Sequence, residues 1–288
     1  MHQQFQRLVV CLLLTLSILL APPLIFAEDA LVMGIFPRRN AETTITYFKP
    51  MADYLSKKLN RTIRIETSRN FKSFWQGIKQ KRYDLVHFNQ YHYVQSNKEF
   101  NYQVILKNAE FGKNTLAGAI VVRKDSKLNS LTELKGKKIM FGGGKKAMIA
   151  YVVPTYLLQQ SGLSKKDYTE VFAKNPPNAL IGTYLKQADA GGTGDVLLNH
   201  PVITKRIKPD QLKLIAQGNQ LPHLPWATKD TMNPSLKKNI QHLLSTLHLH
   251  EEGLKILKSA HLTQIHTATD KEYNIVRNII EKVTGIKY

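Results

Sequence analysis

Three consecutive glycines followed by two lysines, Gly142 to Lys146, form the stretch of this sequence best suited to hold an anion. They follow the apolar run 138–141 and precede a predicted helix over 147–160. A strand that ends in glycines and opens a helix leaves backbone N–H groups free at the positive end of the helix dipole. The spacing is not that of a phosphate loop. The stretch predicts an anion-binding turn, and a flexible turn is the alternative. Its candidate ligand residues are Gly143, Gly144, Lys145, Lys146 and Ala147.

Polar side chains also follow the predicted first and third strands. Arg38 comes after Pro37, and its guanidinium group can bind a phosphate or carboxylate through two parallel hydrogen bonds. A solvated basic turn is the alternative interpretation of Arg38. The second group offers aromatic walls and neutral hydrogen-bonding groups for a small polar ligand. It consists of Phe88, Asn89, Gln90 and Tyr91.

A glycine-rich segment, 191–195, resembles a second backbone turn suited to a ligand, in which Thr193 offers its hydroxyl group. A plain hinge is the alternative. His87, His92 and His223 raise the possibility of a metal site. No acidic or thiolate partner stands near them in the sequence, so we predict no metal site.

The usual catalytic motifs are missing from the sequence. It contains no Gly-x-Ser-x-Gly, no His-Glu-x-x-His and no convincing pair of acids. We therefore expect no catalytic residue, no enzymatic activity and no cofactor.

The N-terminus has the pattern of a secretory signal peptide over residues 1–27. Arg7 precedes an apolar run, 8–20, which is shorter than the roughly 20 residues of a membrane-spanning helix. A Pro pair and a small residue, Ala27, follow. Export to the periplasm is therefore expected, with an uncleaved anchor as the alternative. Cleavage would remove Cys11, the one cysteine, and with it any thiol chemistry.

The chain is strongly basic, with 41 Lys and Arg residues against 21 Asp and Glu. Its formal net charge of +20 becomes +19 when residues 1–27, which hold one Arg and no acid, are removed. Such a charge suits anionic ligands, membranes or nucleic acid. The basic residues are scattered, and no zinc-finger or RNA-recognition spacing is present. We expect an anionic small molecule as the partner and no nucleic acid.

Short apolar strands alternate with amphipathic helices along almost the whole chain, which predicts an α/β fold with mostly parallel sheets. Loops at glycine and proline clusters separate two such halves without a linker. We predict one lobe from residues 28–120 plus 225–288 and a second from 121–224. A two-lobed periplasmic binding protein (type II-like) fits this pattern, with its ligand at the strand carboxyl ends between hinged lobes. A monomer is expected, because the lobes of a clamp must open freely.

From about residue 31 to 262 the sequence resembles the PhnD-like periplasmic substrate-binding proteins of phosphate, phosphite and phosphonate ABC transporters. The resemblance is carried by motifs in order and spacing. They are Gly34-Ile-x-Pro37, Pro50-Met-Ala-Asp-Tyr-Leu55, Tyr83-Asp-Leu-Val86, Val121-Val-Arg-Lys-Asp-Ser126, Leu131-x-x-Leu134-Lys-Gly136, Phe141-Gly, Tyr151-Val-Val-Pro154, Asn178-Ala-Leu180 and Gln187-Ala-Asp189. The order is more specific for the fold than for the ligand.

The chain departs from this family where the ligand is held. Relatives carry a Ser-Thr-Ser-type cluster where this chain has Lys145-Lys146-Ala147-Met148, which contains no hydroxyl group. Asn175 stands at about the position of a frequent His in relatives, and Phe88-Asn89-Gln90 replaces a frequent aromatic hydroxyl. Asp189 matches an acid that the relatives place beside the ligand.

The resemblance implies an extracytoplasmic protein that closes two lobes on a small oxyanion and delivers it to an ABC permease. Phosphate, phosphite, a phosphonate and other small oxyanions all remain open. A sensor module for a membrane histidine kinase or chemoreceptor would need the same clamp and is the first alternative. A periplasmic metal-binding accessory protein is the second.

Overall fold

The computed structural model of the protein describes residues 30–288. Its first part contains β1 (Leu31–Ile35), α1 (Ala41–Leu59), β2 (Ile63–Glu66), α2 (Phe71–Lys79), β3 (Leu85–His87), α3 (Gln90–Phe100) and β4 (Gln103–Ala109). The predicted signal peptide, residues 1–27, lies outside the described residues.

The central part contains β5 (Thr115–Leu116), β6 (Gly118–Arg123), β7 (Lys138–Gly142), a π-helix (Met148–Val152) that continues into α4 (Val153–Gln160), β8 (Thr169–Ala173), α5 (Pro176–Tyr184), β9 (Ala190–Gly194), α6 (Pro201–Thr204), β10 (Leu212–Gln217) and β11 (Leu221–Pro222). The last part contains β12 (Pro225–Thr228), α7 (Pro234–Ser245), α8 (Glu251–Ser259), β13 (Gln264–Thr267) and α9 (Asn274–Thr284).

The strands form two large sheets, each the centre of one lobe. A six-stranded sheet with the order β13-β4-β12-β3-β1-β2 defines lobe 1, and a five-stranded sheet with the order β10-β6-β9-β7-β8 defines lobe 2. The chain crosses between them twice, after β4 and after β10. The short strands β5 and β11 pair with each other at these crossings. The α/β fold with two lobes is therefore confirmed.

Both sheets are mixed, with antiparallel pairs beside the parallel strands that the sequence predicts. Strands β1, β2 and β3 are parallel, and so are β7, β8 and β9. However, β12 is antiparallel to both its neighbours in lobe 1, and β6 is antiparallel to both of its neighbours in lobe 2. Each is the first main strand after a crossing. Because the chain arrives at the edge where the parallel strands end, this strand must run away from that edge.

Asparagine side chains begin five of the helices. The Oδ1 atoms of Asn40, Asn70, Asn89, Asn175 and Asn233 accept hydrogen bonds from backbone N–H groups in the first turns of α1, α2, α3, α5 and α7. Such caps stabilise a helix by about 1 kcal/mol each. They also fix where each helix begins, which for α3 and α5 is at the carboxyl end of the preceding strand.

Helix α9 lies against both lobes, packing on α3 of lobe 1 and on α4 of lobe 2. Its Val276 and Ile280 are buried in one apolar cluster with side chains from both sheets. Within residues 30–288, no helix combines the length and hydrophobicity needed to span a membrane.

Candidate functional site

A cavity of about 120 Å³ lies between the lobes, at the carboxyl ends of the strands of both sheets. Lobe 1 contributes residues that follow β1, β3 and β4, namely Phe36, Arg38, Asn89, Gln90 and Glu110. Lobe 2 contributes residues at the ends of β7, β8 and β9 and at the start of the π-helix, namely Gly142, Gly143, Ala147, Met148, Lys174, Asn175 and Gly194. The topology brings these segments together, since parallel strands end on the same edge of a sheet.

Six of the thirteen predicted ligand residues line this cavity. They are Arg38, Asn89, Gln90, Gly143, Ala147 and Asn175. Two of them have structural duties as well, because Asn89 and Asn175 cap α3 and α5. Asn89 Oδ1 also accepts from the ring of His92 at 3.0 Å.

The other predictions are corrected because the side chains lie elsewhere. Phe88 is fully buried in lobe 1, where its ring packs edge-on against Tyr102. Tyr91 is buried beside Tyr288. Thr193 lies inside β9 with its side chain fully buried, so the predicted turn over 191–195 is largely a strand.

Asp189, predicted to lie beside the ligand, is at the opposite end of the sheet from the cavity. It precedes β9, and its carboxylate accepts a hydrogen bond of 2.9 Å from the backbone N–H of Lys138, the first residue of β7. Both residues lie at the amino ends of their parallel strands, whereas the cavity lies at the carboxyl ends. Asp189 therefore joins two strands far from the cleft.

The three glycines differ from one another. A Cβ atom on Gly142 would stand 2.2 Å from Cα of Pro176, so this glycine allows β7 to approach the start of α5. Gly143 has φ of +96°. Gly144 is exposed, has open space around its Cα, and does not line the cavity.

Neither lysine of the motif lines the cavity. Lys145 is exposed and makes no hydrogen bond or ion pair within residues 30–288. Lys146 points away from the cavity and reaches lobe 1, where its Nζ donates to Gln95 Oε1 at 2.9 Å and stands over the rings of Trp75 and Tyr91. Burial lowers the pKa of Lys146. The lysine that does line the cavity is Lys174.

Arg38 and Glu110 form an ion pair at the wall of the cavity. Arg38 Nη1 is 3.2 Å from Glu110 Oε1. Burial would raise the pKa of the Glu110 carboxyl group, but Arg38, His223 and Arg39 outweigh it and the pKa is lowered. Glu110 is therefore an anion, and it offsets the charge of Arg38. Glu110 stands outside any motif, so no pattern in the sequence predicts its role.

The side-chain amide of Gln90 has a fixed orientation. Its side chain is fully buried, and Nε2 donates to the carbonyl oxygen of Pro222 at 3.1 Å. A carbonyl oxygen accepts and does not donate, which fixes the orientation of the amide. Gln90 Oε1 has no hydrogen-bond partner among residues 30–288.

Apolar side chains form most of the remaining wall, and sequence analysis missed them. They are Phe36, Phe71, Leu116, Met148, Ile149, Val196, Leu197 and Leu224. Apart from Leu116 in β5, these residues come from loops and helix starts that carry no periodic pattern, so only the fold brings them together. His200 of lobe 2 completes the lining and packs edge-on against Phe111 of lobe 1.

The three histidines considered as metal ligands have other roles. His87 stacks on Trp226 and accepts a hydrogen bond from Asn108, whose own oxygen is held by the Trp226 N–H group. His92 stacks on Phe71. Nδ1 of His223 accepts from the backbone of Leu224. No group of three His, Cys, Asp or Glu side chains arranged to hold a metal occurs in the part of the chain that the structure describes.

These buried histidines predict acid sensitivity. Burial lowers the pKa of His92 to about 3 and that of His223 to about 4. Below about pH 6.5 the two histidines become protonated in the unfolded chain but stay neutral in the folded protein. The stability of the fold is therefore complete above that pH and decreases as the pH falls toward 4. Between about pH 7.5 and 5, each of the two histidines should lower the free energy of unfolding by about 2 kcal/mol.

Urea unfolding at both pH values measures this loss. His92→Gln should reduce the pH-dependent loss by about 2 kcal/mol, even though it lowers stability at neutral pH. The exposed His242→Gln is the control and should keep the wild-type pH dependence. An unchanged pH dependence in His92→Gln would contradict the assignment.

The sequence matches one protein family, and the fold matches solved structures. Residues 33–273 match the model of the family described as "ABC transporter, phosphonate, periplasmic substrate-binding protein". PhnD1 from Prochlorococcus marinus, solved in complex with methylphosphonate, superposes with a TM-score of 0.78 at 19% identity, covering 89% of this chain and 99% of its own.

Two further solved structures share the fold. The binding protein component of an ABC phosphonate transporter from Pseudomonas aeruginosa gives a TM-score of 0.75 at 15% identity, over 88% of this chain and 85% of its own. A histidine kinase sensor domain with similarity to periplasmic binding proteins gives 0.53 at 14% identity, over 83% of this chain and 99% of its own. At identities this low, the similarity establishes the fold only. The ligand must be inferred from the residues that line the cavity.

Proposed function

The chain belongs to the family of periplasmic substrate-binding proteins of phosphonate ABC transporters, and we propose that its inter-lobe cavity binds a small organic oxyanion with an apolar substituent. The single observation that carries the proposal is the cavity itself. It is enclosed by the carboxyl ends of both sheets and by helix starts from both lobes. Closure of the lobes on the ligand then presents the closed form to the permease.

The oxyanion would bind where two helices begin. Helix α3 starts at Gln90 in lobe 1, and the π-helix that continues into α4 starts at Met148 in lobe 2; both residues line the cavity. The first N–H groups of a helix have no partner within it and lie at its positive end. Two such starts supply donors to an anion without the hydroxyl cluster found in relatives.

Helix α5 also begins at the cavity but offers few donors. Its first two residues, Pro176 and Pro177, have no N–H group, and the N–H of Asn178 already donates to Asn175. This difference directs the anion toward Met148 and Gln90 and away from Asn175.

Charge in the cavity comes chiefly from Lys174. Glu110 offsets Arg38 through their ion pair, whereas Lys174 makes no ion pair within residues 30–288. The side chains that line the cavity therefore have a net charge of about +1, and the positive ends of the two helices add to it. A small anion fits this balance, and a cation does not.

The apolar wall supports an organic ligand over inorganic phosphate. An inorganic oxyanion would turn some of its oxygens toward Leu116, Ile149 and Leu224, where they would lose water without gaining donors, at a cost of about 1–3 kcal/mol for each group. An alkyl or aryl substituent would instead gain about 25 cal/mol for each Å² of surface buried there.

Calorimetric titration with phosphate and with methyl-, propyl- and phenylphosphonate tests this function. We expect affinity to increase along the three phosphonates and to be weakest for phosphate. Lys174→Gln should lower the affinity for all of them by about tenfold, since a charge-assisted contact contributes about 1.5 kcal/mol. Lys166→Gln, which removes an exposed lysine outside the cavity lining, is the matched control. Equal affinity for phosphate and phenylphosphonate would refute the proposed ligand class.

We further propose that the protein acts as a monomer without catalytic activity or nucleic-acid binding, and that residues 1–27 are removed on export. The family is periplasmic and serves transport, which supports export. Mass spectrometry of the exported protein tests the cleavage after Ala27.

A further inference from the structure

The basic residues are spread over the whole chain, with a net charge of +9 on residues 121–224, but the density of positive charge is highest in one short segment. Residues 57–82 contain a single acid, Glu66, and have a net charge of +8. The rest of lobe 1, residues 30–56, 83–120 and 225–288, has a net charge of +4 over a far longer stretch. The cations of the segment are Lys57, Lys58, Arg61, Arg64, Arg69, Lys72, Lys79, Lys81 and Arg82.

The fold places this segment along one side of lobe 1, which we call the basic edge (residues 57–82). It comprises the last turn of α1, the strand β2, the helix α2 and the turn after α2. β2 is the terminal strand of the six-stranded sheet, with α1 packed against it. Arg82 Nε is 2.7 Å from Glu66 Oε2, so the turn after α2 lies beside the end of β2.

Most cations of the basic edge have no acidic partner. Six of them are exposed and have no carboxylate within 4.0 Å in the described part of the chain: Lys57, Lys58, Arg64, Arg69, Lys72 and Lys79. The one acid of the segment, Glu66, is already paired with Arg82. One or two lysines suffice to keep an edge strand from pairing with another chain, so protection of β2 does not account for a charge of this size.

We propose that the basic edge binds the anionic lipid surface of the membrane in which the permease lies. Each cation near an anionic bilayer increases binding about fivefold, and the effect fades within about a Debye length. Several weak contacts of this kind would hold the protein near its permease and still release it. The proposal depends on the family's role in transport and is independent of which ligand the cavity binds.

Flotation of the exported protein with lipid vesicles tests the proposal. We expect binding to phosphatidylcholine vesicles that contain about 30% phosphatidylglycerol, no binding to pure phosphatidylcholine, and loss of binding between about 50 and 500 mM salt. The variant Lys57→Glu, Arg64→Glu, Arg69→Glu, Lys72→Glu reduces the charge of the edge to zero. It should lower vesicle binding at least tenfold while ligand affinity is unchanged.

The control reverses four exposed cations of lobe 2, Lys166, Lys205, Arg206 and Lys208, and so changes the net charge equally. It should keep most of the vesicle binding. An equal loss in both variants would mean that total charge and not the basic edge matters, which overturns the proposal. Absence of wild-type binding to anionic vesicles at low salt, or a preference for DNA over vesicles that the edge variant abolishes, would also overturn it.

Discussion

Replacing Gly142 with alanine should abolish ligand binding and destabilise lobe 2 by about 3 kcal/mol. The new Cβ would stand 2.2 Å from Cα and 2.5 Å from N of Pro176, and 2.8 Å from the carbonyl carbon of Asn175. These are backbone atoms and cannot rotate away. Relief therefore requires β7 and the start of α5 to separate, and both line the cavity.

Gly144→Ala is the matched control within the same three glycines. Apart from its own chain neighbours, no heavy atom of residues 30–288 lies within 4 Å of the Cβ it would add, and its φ is compatible with alanine. We expect its stability and affinity to stay close to the wild type. Urea unfolding and calorimetric titration of both variants make the comparison. Normal binding by Gly142→Ala would show that β7 and α5 need not approach so closely.

The sequence predicted the strand–helix units because their patterns are local. Apolar repeats in the sequence directly mark the strands β1, β2, β3, β7 and β8 and the helices α1 and α2. The parallel direction of these strands follows from the helices between them. The antiparallel insertion of β6 and β12 depends on where the chain crosses between lobes. That is a non-local property, which no single repeat carries.

Helix α3 could not be recognised from hydrophobic periodicity. Residues 90–96 are all buried, on every side of the helix, so no alternation of polar and apolar residues marks it. The sequence accordingly predicts a single ligand-binding group after the third strand, made of Phe88, Asn89, Gln90 and Tyr91. The structure instead divides them between the apolar core, a helix cap and the cavity, because successive helical residues point in different directions.

The two lysines of the glycine motif show why residue type and position do not determine direction. Both stand at the start of a helix facing the cleft, and both could have met an anion. Lys145 remains in solvent, whereas Lys146 finds a buried partner on the other lobe. The lysine that lines the cavity is instead Lys174, which directly follows the neighbouring strand β8.

Lys146→Ala should weaken the binding of every ligand by about the same factor, at least tenfold, because Lys146 holds the lobes closed without lining the cavity. It belongs to lobe 2, and its side-chain partners Gln95, Trp75 and Tyr91 all belong to helices α2 and α3 of lobe 1. Its backbone oxygen also accepts from Asn89 at 3.4 Å. A charged hydrogen bond and a partly desolvated cation–π contact together contribute about 2–3 kcal/mol.

The loss should act on the equilibrium between open and closed lobes. Apparent affinity falls in proportion to the closed population, so the order of preference among phosphonates and phosphate should survive in Lys146→Ala. Small-angle scattering without ligand should show a larger radius of gyration than the wild type, and Gln95→Ala should share both effects to a smaller extent. Lys145→Ala, one residue away, should match the wild type in every measurement. If Lys146→Ala instead lost affinity for one ligand and kept it for the others, Lys146 would be a ligand contact and the lobes would be held together by other residues.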